Sequence, residues 1–153
     1  MQSRPSQRRH FVPKPESEEQ LITSENVTVE MLQSFFEAAF LEHSLDSDGD
    51  IILSEGVRCF LSLRADKLAL QLTVFFFFKP DCALADRLAA VNSINFNYNS
   101  CKAIAHPERN DLIFVHEVSL RWGITPKALV QTIRSFCSIP REAIRDHANL
   151  LID

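Results

Sequence analysis

The segment at residues 67–79, KLALQLTVFFFFK, constrains this chain more than any other. As a strand it would span about 40 Å at 3.3 Å per residue. Leu68, Leu70, Leu72, Val74, Phe76 and Phe78 then share one face. Lys67, Ala69, Gln71 and Thr73 share the other, until Phe75 and Phe77 take over. One face must be covered along its whole length, and the far end carries apolar groups on both faces. A central strand in a sheet covered by helices satisfies both demands.

The rest of the composition limits what such a sheet could serve. At 153 residues and 46% hydrophobic content the chain suits one domain with its own core. Twelve Phe against one Tyr and one Trp make the aromatics core material more than polar-tipped contact surface. The formal net charge is −4, and the first 26 residues are neutral, so the deficit lies on the domain. No basic cluster marks a nucleic-acid face, and none is expected to bind. Cys59, Cys82, Cys101 and Cys137 are widely spaced without a CxxC pair, as expected of reduced thiols in a cytoplasmic protein. No window has the length and apolarity of a membrane span, and no apolar core follows the N-terminal charges as in a signal peptide. The three glycines cannot build a phosphate loop.

Residues 1–26 are rich in Gln, Ser, Pro, Arg and Glu and read as a flexible arm; residues 27–153 form the domain. Thr28 caps a helix over 28–43, with Leu32, Phe35, Phe36, Ala39 and Phe40 as its apolar stripe. An acidic turn at 46–50 leads into a short strand at 51–54. Residues 57–63 alternate and form a hairpin with the long strand. A second helix runs from residue 81 or 82 to about 95, with Leu84, Leu88, Val91 and Asn95 along one side. Residues 101–106 and 112–121 form another hairpin. Thr125 and Pro126 then open a helix, which Pro140 interrupts, with Ser138 capping a last segment. The expected fold is α+β: an antiparallel five-stranded sheet in the order α-β-β-β-α-β-β-α, with helices mainly on one face.

The most site-like stretch is 44–55, SLDSDGDIILSE. With Ser44 at position one of a calcium loop, Asp46 and Asp48 fall at three and five, Gly49 at six and Glu55 at twelve. Position one lacks a carboxylate, and the exit segment alternates as a strand, so the plainer reading is an acidic turn shaped by Gly49. No metal is expected, and Asp46, Asp48, Asp50 and Glu55 are the only candidates. The five histidines show no ligand spacing, and His116 falls among core residues of a strand. No cofactor motif is present.

Several local features together carry a family likeness. They are the helix leading into Asp48-Gly49-Asp50-Ile51, the long central strand, the helix end Val91-Asn92-Ser93-Ile94-Asn95, and Gly123-Ile124-Thr125-Pro126 before the last helix. From about Val27 to Phe136 the chain resembles the YbjN family of bacterial sensory transduction regulators. That family is similar in fold to type III secretion chaperones. The resemblance implies a homodimer and supplies no catalytic residues to carry over.

The expected function is therefore a non-enzymatic interaction or regulatory module that binds a polypeptide partner. Phe75, Phe77 and Trp122 are the apolar residues left for contacts once the core is filled. Two other readings stay open: a divalent-cation-responsive module at 44–55, and an enzyme whose cysteine and histidine meet only in space.

Overall fold

The computed structural model describes residues 20–152. Its elements run α1 (Val29–Ala38), β1 (His43–Leu45), β2 (Ile51–Ser54), β3 (Arg58–Leu63), β4 (Ala69–Phe77), α2 (Leu84–Asn97), β5 (Lys102–Ala105), β6 (Asp111–Ser119) and α3 (Pro126–Asp146), then a 3-10 turn at Ala148–Leu150. The strands make one antiparallel sheet in the order β1-β2-β3-β4-β6-β5. The α+β class and the antiparallel sheet are as expected, but the sheet has six strands where five were anticipated.

The extra strand exists because α1 stops five residues early. Ala39 ends the helix, and Phe40 takes a left-handed backbone with φ 56°. The amide of Leu41 donates to Phe36 O at 2.9 Å, and that of Phe40 donates to Glu37 O at 3.1 Å. This is a Schellman ending, closed by the buried pair Leu41 and Phe36. Phe40 continues the helical apolar spacing, so the stripe looks longer than the helix. In fact Phe40 is 94% exposed and occupies the position where glycine is usual. The redirected chain pairs His43–Leu45 with β2.

The long strand forms over residues 69–77, and its alternation sorts the two faces. Leu70, Leu72, Val74 and Phe78 are buried beneath the helices, with Phe114 of β6 and Phe136 of α3 in the same core. Each fully buried Phe of this kind contributes about 1.5–3 kcal/mol through removal from water. Thr28 and Thr125 cap α1 and α3 as anticipated, accepting from the amides of Met31 and Ala128, each at 3.1 Å. Pro140 does not interrupt α3. The helix runs 21 residues through it, with Pro140 itself buried. Burying the ring and its flanking Phe136, Cys137 and Ala143 offsets the one lost backbone bond. The chain end folds back: Lys79 N donates to Leu150 O and Ile152 N to Phe77 O, both at 2.9 Å. Helix α2 is rotated from the anticipated face. Ala90, Val91 and Ile94 are buried, while Leu84 and Leu88 are 40% and 47% exposed.

The expected flexible arm lies outside the described residues up to residue 19. At its described end Ile22 is buried and bridges Ile124, with amide bonds of 2.8 and 2.9 Å in both directions. Among the described residues no helix is long and apolar enough to cross a membrane.

Phe40→Gly is expected to raise unfolding stability by about 1 kcal/mol, because it relieves the left-handed strain and sacrifices little burial. Urea titration of the two proteins checks this.

Candidate functional site

The helix-free face of the sheet presents side chains from the alternate positions. Phe75 is 41% and Phe77 52% exposed there. Phe75 lies opposite Ile113, which lies opposite Ile104 on β5. The Phe60 ring meets Phe75 edge-on at 5.7 Å, and the Arg58 guanidinium sits 5.1 Å from the Phe60 ring centre. Ile52 and Val115 complete the row through Phe60 and Thr73. The result is an apolar band centred on β3, β4 and β6, bordered on the same face by Arg58 over the Phe60 ring, Asp111 opposite Phe77 and Lys102 opposite Val115. Such a patch marks a contact surface more often than it marks solvent-facing decoration.

Trp122 is 91% exposed but stands elsewhere. It follows the end of β6, at least six strand residues beyond Ile113, or about 20 Å. The structure brings Phe75 and Phe77 together and leaves Trp122 at the opposite end of the sheet.

The calcium-loop spacing also comes apart. Residues 46–50 close the β1–β2 hairpin, with Asp46 N donating to Asp50 O at 3.0 Å. The Asp46 carboxylate accepts from the amides of Asp48 and Asp50 at 2.9 and 3.0 Å, so it shapes the turn. Gly49 supplies φ 86°. Glu55 lies past the far end of β2, and its carboxylate is 3.8 Å from Arg134 Nε. A strand has replaced the second half of the loop, and among the described residues no group of three metal-ligating side chains converges. Burial, together with the Asp46 and Asp48 carboxylates, raises the Asp50 pKa above its ordinary value of 3.8.

Cys59 and Cys137 are both fully buried, and they meet each other, not a histidine. The hydrogen bond to Cys137 and then burial push the Cys59 thiol far up, so it stays protonated. His116 stacks on Phe136 at 5.9 Å with an interplanar angle of 28°. It serves as a packing residue under α3.

Asn95 has a role that helical spacing could not reveal. Its amide nitrogen donates to Ala103 O at 3.1 Å, and Ala103 N donates to its Oδ1 at 2.7 Å. Ala103 faces outward from the edge strand β5, so one side chain caps both of its free backbone groups. The edge is thereby obstructed at Ala103, which hinders an incoming strand there. Only the composition of the helix end, with Asn at 92, 95 and 97, hinted at side chains that bond backbone.

Together these features define an α+β domain with a six-stranded antiparallel sheet and an apolar sheet face. The family model for YbjN, "Putative bacterial sensory transduction regulator", matches residues 28–146, and the chain belongs to that family. The fold is similar to YbjN from E. coli, described as "a putative transcription regulator": TM-score 0.71 and 13% identity, covering 88% of this chain and 100% of that one. An uncharacterized protein from Methanothermobacter thermautotrophicus gives 0.57 and 10%, over 77% and 94% of the two chains. A chain of the HopA1-SchA chaperone-effector complex gives 0.53 and 13%, over 74% and 89%. Comparison with curated proteins finds no match.

Asn95→Ala is expected to cost about 1 kcal/mol, the worth of a backbone-capping pair less the helix propensity gained. It should also promote association through the opened β5 edge. Denaturant titration and light scattering read the two effects. Asp50→Asn is expected to raise the melting temperature slightly at pH 7. The sign follows from the raised pKa: the folded chain loses stability as pH climbs from the unfolded value through the folded one. The gain should vanish below about pH 3, where wild-type Asp50 is protonated in both states.

Proposed function

We propose that this domain is a non-enzymatic, cytoplasmic regulatory module that works by binding protein, as a homodimer and with a polypeptide partner. The observation that carries the reading is the pair Phe75 and Phe77, half-exposed on the helix-free face beside Phe60 and Ile113. Water is excluded from such a face most economically by a second sheet laid across it. A second copy brings an identical apolar band, so the contact is self-complementary about a two-fold axis. Membership of a regulator family, and a fold shared with a chain from a chaperone-effector complex, agree with a protein-binding role. Trp122 stands apart as a contact point for the partner, because an exposed tryptophan offers a large desolvatable area at low entropy cost.

The test is molar mass by light scattering across a concentration range. A mass of twice the 17.4 kDa chain is expected for the wild type. Phe75→Asp with Phe77→Asp should return the protein to monomer with its far-UV spectrum and unfolding cooperativity retained. A wild type that stays monomeric at every concentration would remove the dimer from the proposal.

A further inference from the structure

We propose that the free edge at β1 takes an extended segment of a partner polypeptide as a seventh strand, and that this segment alternates basic and apolar residues. The proposal deepens the polypeptide-binding reading by assigning it a site.

The two outer edges of the sheet differ. At β5 the outward backbone groups of Ala103 are occupied by Asn95. At β1 the ladder is fixed by Ser54 N to Glu42 O and Asp46 N to Asp50 O, each 3.0 Å. Antiparallel pairing alternates, so residues 42, 44 and 46 bond to β2, while His43 and Leu45 turn their N–H and C=O outward. Among the described residues no hydrogen bond takes up those four groups. They are spaced to bond a further strand, the geometry of strand addition.

The flanks of the edge state what kind of strand fits. Phe40 projects from one end, 94% exposed and held by its left-handed backbone. The acidic turn with Asp46, Asp48 and Asp50 closes the other end. Toward the helix-free side the edge presents Glu42, Ser44 and Asp46, beside a surface depression of about 510 Å³ lined by Ser44, Ile52, Ser54, Gly56, Val57 and Arg58. Toward the helix side Leu45 is 47% exposed. An antiparallel strand would set basic side chains opposite Asp46 and Glu42, with a small residue between them over the depression. Its alternate residues would lie apolar beside Leu45, and an aromatic would end against Phe40. A second copy fits badly. Two-fold pairing about Ser44 sets Glu42 opposite the other chain's Asp46 twice, and directly opposed like charges destabilise a strand pair.

The probe is the acetylated, amidated peptide Lys-Val-Thr-Val-Lys-Thr-Phe, titrated into the ¹⁵N-labelled full chain. The expected result is chemical-shift change and slowed hydrogen exchange at the amides of His43 and Leu45. The same peptide with glutamate for both lysines should bind at least about tenfold more weakly. Leu45→Pro removes one outward N–H without touching the β1–β2 ladder and should weaken binding about tenfold. Asp48→Lys, at an exposed turn position, should narrow or reverse the preference between the two peptides. Equal binding of both peptides, or binding indifferent to Leu45→Pro, would overturn the proposal. So would protection of His43 and Leu45 that appears without peptide as protein concentration rises, since the edge would then belong to a second copy. Shifts confined to the Phe75 face would overturn the edge site and leave the domain a polypeptide binder; no binding anywhere would count against both.

Discussion

The packing of α3 against one face of the β4–β6 pair, with α1 beside β1, is the constraint from which the other features follow. Leu70, Leu72 and Val74 on β4, Phe78 just beyond it, and Leu112 and Phe114 on β6 need cover, and Phe36, Ile133 and Phe136 belong to the same core. Once the helices are committed to that side, the opposite side of the same strands faces outward. Strand side chains alternate strictly, so residues between core positions have nowhere else to point. Phe75 and Phe77 are exposed by the same geometry that buries Phe78.

A sheet covered on one side has two edges to manage, and the molecule treats them differently. Asn95 reaches from α2 to occupy Ala103 on both its donor and acceptor. The β1 edge is short and charged at its flanks, and among the described residues no side chain bonds its outward groups. The projecting Phe40 sits at that second edge, where an exposed aromatic and a strained backbone coincide in one residue.

The acidic stretch shows how a motif can be present in sequence and absent in space. Asp46, Asp48 and Gly49 hold the spacing of a calcium loop, yet the Asp46 carboxylate is engaged by turn amides, and Glu55 is carried away by β2 toward Arg134. The β-branched pair Ile51-Ile52 prefers an extended backbone paired with β3 to a loop wrapped around an ion.

By itself the sequence determined every element type except β1, both threonine caps, and which residues of the long strand share a face. Those depend on periodicity and local hydrogen bonding, which act over a few positions. Tertiary structure decided the rest. Helix α1 ends at Ala39 because Leu41 finds a buried place beside Phe36, although Phe40 prolongs the apolar spacing. Helix α3 continues through Pro140 because the ring is buried, a gain that no local propensity contains. Trp122 and Phe75 lie at opposite ends because antiparallel register sets where each strand starts relative to its neighbour. The capping of Ala103 at the β5 edge rests on bonds between residues 95 and 103, which exist only after α2 and β5 have packed.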